Sequence, residues 1–476
     1  MVRLPAGAGG IRSPGTGEAP LIQKTAEPLA AGIREERLPR KLGLWSAVAV
    51  LVGSTIGSGI FRVPSTVAGD VEAVGAMALL WVVGAVVALF GALTLAELSA
   101  MFPRSGGIYV YLREAYGPLP AFLFGWTELL VIRPSALGAI AMIFAAYVGA
   151  FLPLTDVLVR VIAAGAILLL AAANYRSVTW GAAVENATTA AKVLALVGLA
   201  VIAFALGQAT GGALAAPPAF APASWAGFGV ALIAVMWAYD GWADLTFISG
   251  EVKDPGRTMP RALLGGTALV VAVYLLVNAA YLYLLPVDAM ARSELVAADA
   301  ARVIMGAAGA SVVAALVMLS TFGALNGSLM TGPRIFFAMA EDGLFFRPVA
   351  AVHPRYQTPF VAISLAALLG VSYVSIRTFE QLADAFILGI WPFYALGVGA
   401  VFLMRKQRPD AERPYRTLGY PWVPVVFLLA SLAMLLNSLI EQPGTTMISF
   451  GVILAGVPVY YLWYGRRRRG AHGDRS

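Results

Sequence analysis

Two of the long apolar runs in this chain are interrupted midway by residues that a lipid-facing helix avoids, and the two runs occupy corresponding places in its halves. The first, Leu44 to Val67, contains Gly53, Ser54, Thr55, Gly57, Ser58 and Gly59; the second, Ala226 to Ile248, contains Asp240, Gly241 and Asp244. A glycine inside a helix costs about 1 kcal/mol relative to alanine, and a carboxylate at the bilayer centre costs roughly 2.5 to 3.5 kcal/mol on insertion scales. Loosened backbone persists at membrane depth only where protein buries it or water fills a cavity beside it. Interrupted helices at matching positions of two halves mark a transporter's binding site.

The rest of the chain fits a membrane setting. Of 476 residues 59% are hydrophobic and only 12% are charged, so apolar stretches of roughly 18 to 26 residues recur. They predict twelve spans, beginning near Leu44, Val74, Ala121, Val157, Ala187, Ala226, Ala262, Ser311, Pro359, Ala383, Pro421 and Met447. Spans one to five and six to ten each open with an interrupted helix. The expected fold is therefore an all-α integral membrane protein with a 5+5 inverted repeat, discontinuous helices 1 and 6, and two extra C-terminal helices. Its divisions are a disordered cytoplasmic leader (1–41), two five-helix repeats (42–208 and 226–404), helices 11 and 12 (421–465) and a basic cytoplasmic tail (466–476). Pro286 to Met305, with Asp288, Glu294 and Asp299, is too polar to span and reads as a short external helix. Pro103 to Pro118 and Gly250 to Arg261 read as ordered loops or half-helices at the inner face.

Placing both termini inside puts most of the 33 Lys and Arg residues in cytoplasmic segments, as the positive-inside tendency requires. The net charge of +7 is dispersed over these loops, which argues against a nucleic-acid surface. The absence of cysteine excludes disulfides, thiolate metal sites and a disulfide-linked partner subunit. His353 and His472 are the only histidines, both in cytoplasmic segments, so no zinc site can be assembled from them, and no metal or cofactor is expected. Asp240 and Asp244 form an i, i+4 pair on one helix, without the facing aspartate that an intramembrane protease needs. Repeated filter residues, as in a channel, are absent. A substrate sensor built on a transporter fold stays open as a rival.

Gly57-Ser58-Gly59-Ile60-Phe61, Glu251-Val252-Lys253-Asp254-Pro255 and Pro260-Arg261-Ala262 give the chain a clear likeness. With Pro103 to Gly107, Ile132-Arg133-Pro134, Trp237 to Trp242, Ser320 to Gly323 and Asn326-Gly327-Ser328, the ordered set resembles the amino acid-polyamine-organocation superfamily, and within it the L-type amino acid transporter family, over about residues 42 to 440. The resemblance implies a twelve-helix inverted-repeat carrier of L-amino acids in the plasma membrane, often an obligatory exchanger. Proton-coupled uptake of the same substrates is the alternative.

An amino acid presents a carboxylate and an ammonium, and an interrupted helix offers free N–H groups where one half begins and free C=O groups where the other ends. By this logic and by the resemblance, Gly57, Ser58 and Gly59 donate to the carboxylate. Carbonyls near Thr55, Ile56 and Asp240 accept from the ammonium, with Gly241 admitting the ligand to backbone. The alternative use of Gly53 and Gly57 is small-residue helix packing, which leaves Asp240 beside Gly241 unexplained. Trp237 matches the aromatic that closes over substrate in the family, its alternative being an ordinary core tryptophan; Trp242 reads as packing. Arg133 matches a substrate-facing position. Either it meets the side chain of an acidic substrate, or it pairs with Asp240, Asp244 or Glu128. In related sodium-independent carriers a lysine at the position of Lys192 takes the place of a coupling sodium ion, the alternative being a lysine snorkelling to the membrane edge. Asn326 is assigned to the same coupling or gating level. Glu97 and Glu185 read as solvated or paired near helix ends.

Overall fold

The computed structural model describes residues 38–208, 224–293 and 295–473; the leader through residue 37 and the last three residues of the tail lie outside the described residues. Helices α1 (Leu44–Thr55) and α2 (Gly59–Val71) make up the first interrupted run, followed by α3 (Val74–Met101) and a short α4 (Ile108–Tyr116). A π-helical turn, Glu128–Ile132, joins α5 (Pro118–Thr127) to α6 (Arg133–Val148); α7 (Asp156–Arg176) and α8 (Val178–Leu206) complete the first half. The second interrupted run is α9 (Trp225–Tyr239) and α10 (Asp244–Phe247), and α11 (Pro255–Leu284) comes next. Then follow α12 (Val287–Ala291), α13 (Val296–Thr331), α14 (Pro333–Glu341), α15 (Phe360–Ile376), α16 (Phe379–Gln407), α17 (Trp422–Glu441) and α18 (Pro443–Gly473).

Among the described residues, ten helical stretches are long and apolar enough to cross a membrane. Two shorter apolar helices, α9 and α15, stand where the sixth and ninth spans are expected. No strand occurs among the described residues; Leu42 and Val252 make one parallel bridge. Several helices start earlier than their apolar runs, because hydropathy marks the membrane core and not the polar first turns. Pro118 and Pro255 open α5 and α11 from the N-terminal position that proline's fixed φ suits. Ser177 and Ser224 cap α8 and α9 by accepting from Thr179 and Gly227 N–H at 3.2 and 2.9 Å. Small residues let the helices meet closely, which matters where lipid removes the hydrophobic drive for helix association. A methyl group on Gly91 would stand 2.5 Å from Trp242, and one on Gly266 would stand 2.9 Å from Leu51.

Two expectations change. Residues 38–41 of the leader are docked: Leu38 is buried, and the amides of Lys41 and Leu42 both donate to the Glu251 carbonyl, at 2.9 and 3.0 Å, while Lys253 N–H returns to Leu42. The polarity of this segment concealed a pairing with backbone more than 200 residues away in sequence. The segment Pro286 to Met305, expected to be one short helix, holds two: α12 packs on α2, and α13 turns sharply at Gly306, whose φ of 62° favours glycine. Pro103 to Pro118 holds α4, and a 3₁₀ turn, Ser249–Glu251, precedes the start of α11 at Pro255. Glu97 is paired with Arg405 at 2.7 Å. Glu185 instead is fully buried, its Oε2 accepting from Asn326 Nδ2 at 2.8 Å.

Candidate functional site

Both interruptions are real breaks. The α1 ladder ends with Ile56 N–H on the Val52 carbonyl, after which Gly57 N–H turns back to Thr55 and α2 starts afresh at Gly59. In the second run Asp240 is extended (ψ 154°) and Gly241 adopts φ 111° before α10 begins. The breaks abut. A methyl group on Gly241 would lie 2.7 Å from the Thr55 nitrogen, and one on Gly59 would collide with the Ala238 backbone. Glycine at these two positions is therefore required by the approach of one chain segment to another.

Between the breaks lies a cavity of about 40 Å³. Thr55, Gly57, Ser58, Gly59, Asp240 and Gly241 line it, with Arg133 and Trp237, so the structure brings together every expected substrate residue except Ile56. Ser54, Asp244, Ser328, Ala136, Ile140, Ala324 and Phe386 complete the wall. Ser328 was visible in its motif. Phe386 had no signal, because its role comes from α16 folding back onto α9.

Three carbonyls at the end of α1, those of Gly53, Thr55 and Ile56, are already engaged. Lys192 is buried and its Nζ donates to Gly53 O at 2.6 Å and Ile56 O at 2.8 Å, with Ser320 O at 3.4 Å. The snorkelling alternative is thus not what the side chain does. Ser320 Oγ also donates to Ile56 O at 3.0 Å. The Tyr274 hydroxyl sits 2.8 Å from Thr55 O and 3.0 Å from Ala238 O, bridging the ends of α1 and α9. Ile56 therefore turns its carbonyl away from the cavity, and the Thr55 carbonyl is engaged, where both were expected to accept from a ligand. The physical reason is that carbonyls freed at a helix end inside a bilayer cost several kcal/mol each if left unpaired. Asn326 lies outside the cavity. It bridges helices, accepting from Asn174 at 2.8 Å and donating to Gly181 O and Glu185 at 2.9 and 2.8 Å.

Arg133 is held by acids. Its Nη2 lies 2.6 Å from Glu128, its Nη1 donates to Ser328 Oγ at 2.7 Å, and Asp244 stands 3.8 Å away. The π-helical turn creates this pairing. Pro134 has no N–H and its ring clashes with the carbonyl four residues back, so Arg133 N–H reaches Glu128 O and the ladder widens. The Leu130 carbonyl that Pro134 cannot serve accepts from the Tyr373 hydroxyl. Asp240 accepts from Tyr394 at 2.7 Å and Asp244 from Thr331 at 2.9 Å. Trp237 is half-buried, edge-on to Phe386 at 5.1 Å and to Phe379 at 6.3 Å. Trp242 packs in the core against Tyr394 and Phe427. No group of His, Asp or Glu among the described residues could hold a metal ion.

Comparison with known proteins gives the family. The chain is 33% identical over 441 residues to the serine/threonine exchanger SteT of Bacillus subtilis, covering 91% of this chain and 98% of that protein. It is 34% identical to the human b(0,+)-type amino acid transporter 1, over 90% of this chain and 88% of that one. To the human cystine/glutamate transporter it is 31% identical, over 91% and 87%. Residues 42–463 match the amino acid permease family, and the chain belongs to that family.

Proposed function

We propose that this protein is a carrier, not an enzyme: a sodium-independent exchanger that moves L-amino acids across the plasma membrane by alternating access. The observation that carries the reading is the meeting of two broken helices around a cavity, with Lys192 seated on the carbonyls of the first break. In this reading the substrate carboxylate meets the N–H groups that open α2 at Ser58 and Gly59, at the positive end of its dipole. The ammonium lies toward Asp240, at the negative end of α9. Trp237 and Phe386 close over the ligand. Lys192 supplies to the first break the positive charge that a sodium ion would otherwise bring.

The twelve-span, inverted-repeat architecture is supported by the packing. Spans one to five are α1–α2, α3, α5–α6, α7 and α8, and spans six to ten are α9–α10, α11, α13, α15 and α16. A two-fold relation between the halves exchanges each span for the one five places on. The contact of α1 with α11 then has its mate in α9 with α3, and α1 with α8 in α9 with α16. The contacts of α6 with α15 and α16 are matched by those of α13 with α7 and α8. Both termini are read as cytoplasmic from the distribution of Lys and Arg.

The cavity also speaks to the substrate. Arg133 is neutralised by Glu128 and Asp244, and Asp240 adds a further carboxylate, so a ligand with an acidic side chain is repelled. The small volume suits a short side chain, as in the serine and threonine that the name of the Bacillus relative specifies. Reconstituted vesicles test this. Labelled serine or alanine should enter only vesicles preloaded with amino acid, equally well in sodium and in choline buffers, while labelled glutamate should not enter. Uptake into empty vesicles driven by a proton gradient would replace exchange with proton-coupled uptake.

A further inference from the structure

A second cavity lies away from the two breaks and shares no lining residue with the first. About 350 Å³ opens between the end of α7 and the start of α15, lined by Ala171, Ala172, Tyr175, Arg176, Tyr356, Ile363 and Ser364. At 1.5 Å per residue the 21 residues of α7 span about 31 Å, the thickness of the hydrocarbon core, so Arg176 at its end lies at headgroup depth. One wall is apolar and continues outward onto a lipid-facing surface, with Leu168, Leu169 and Leu368 exposed. The other end is basic and aromatic. Arg176 is exposed at the mouth, and the guanidinium of Arg355 lies 5.8 Å from the Tyr356 ring centre. Neither arginine has an ion-pair partner among the described residues.

The aromatic wall is built. His353 stacks on Tyr356 at 4.4 Å, and Tyr175 meets His353, Tyr356 and Phe360 edge-on at 5.5 to 6.0 Å. Thr358 Oγ1 donates to the Tyr175 carbonyl at 2.7 Å, which fixes the α15 entry against the end of α7. Tyrosine and arginine together at headgroup level suit an amphiphile with an anionic head.

We infer that this cavity is a binding site for an anionic phospholipid, its phosphate on Arg176 and Arg355, its chains along Ala172 and the exposed leucines of α7 and α15. The site is separate from the substrate cavity and does not depend on how that cavity is read. The full chain, purified in mild detergent, would be exposed to equal amounts of phosphatidylglycerol and phosphatidylcholine, and the retained lipid measured by native mass spectrometry. Phosphatidylglycerol should be preferred, and Arg176→Ala should weaken its retention about fivefold, the worth of one arginine near a charged membrane surface. Tyr356→Leu should weaken it as well. Arg377→Ala is the control, since Arg377 lies over Tyr373 at the other end of α15 and does not line this cavity, and it should retain the wild-type preference. Arg176→Gln covers the case in which the alanine variant fails to fold. Equal retention of the two lipids would overturn the proposal, as would retention unchanged in both Arg176 variants. If inorganic phosphate alone raised the melting temperature as much as phosphatidylglycerol does, the site would bind a free anion and the lipid assignment would fall.

Discussion

Lys192 and Arg133 are both deeply buried cations, yet they answer to different partners and are expected to fail differently. Lys192 serves peptide carbonyls, so Lys192→Ala leaves Gly53 O and Ile56 O with fewer donors, at about 1 to 3 kcal/mol for each carbonyl left unpaired. Exchange by this variant in proteoliposomes is expected to fall at least tenfold even where it inserts normally, and undiminished flux would remove the lysine from the mechanism. Arg133 serves carboxylates. Glu128→Ala leaves a guanidinium that is 2% exposed with Asp244, 3.8 Å away, as its remaining acid, and breaking a buried pair from one side costs about 3 to 5 kcal/mol. Thermal unfolding in detergent should show a markedly lower midpoint for this variant, and replacing Glu128 and Arg133 together by leucine and methionine should restore much of the loss. The residue types at these positions were legible in the sequence, but the choice between partners was not. Nothing in the linear order says that Pro134 widens the helix and thereby sets Glu128 beside Arg133.

At the scale of elements, the π-helical turn and the two breaks are where the backbone departs from the regular ladder, and each departure has a partner elsewhere that makes it affordable. Tyr373 accompanies Pro134, because its hydroxyl occupies the Leu130 carbonyl that proline leaves open. Tyr373→Phe should therefore destabilise the native protein by about 1 to 3 kcal/mol but cost far less in a Pro134→Ala background, where an alanine N–H can serve the same carbonyl. A double-mutant cycle on unfolding midpoints measures that coupling, and additive effects would contradict it. Gly241→Ala combines a left-handed φ with a 2.7 Å approach to the Thr55 nitrogen, so binding of substrate, followed by scintillation proximity, should be lost. The breaks themselves were legible because glycine and aspartate inside apolar runs are costly and cannot be accidental. Their engaged carbonyls were not, since Tyr274, Ser320 and Lys192 arrive from α11, α13 and α8, and only the tertiary fold brings them to one place.

For the whole molecule, the order of apolar runs located the long helices, although α8, α11 and α13 begin at Val178, Pro255 and Val296, well before the expected Ala187, Ala262 and Ser311, while the long-range pairings had to come from coordinates. The docked segment 38–41, the helix entering at Val296 and the Phe386 wall are all of that second kind. In the proposed inverted repeat, the matched packing contacts of the two halves would let the carrier exchange inward and outward forms by rocking one bundle against the other. Exchange that proceeds equally in sodium and in choline is the expected behaviour of a molecule that carries its own cation at the first break. The most direct test of the central claim is a cryo-electron microscopy map of the full chain with bound L-serine. The account predicts ligand density between the two breaks, carboxylate against the N–H groups of Ser58 and Gly59 and ammonium toward Asp240. Density for the ligand at any other place, or helices 1 and 6 running unbroken through the map, would contradict it.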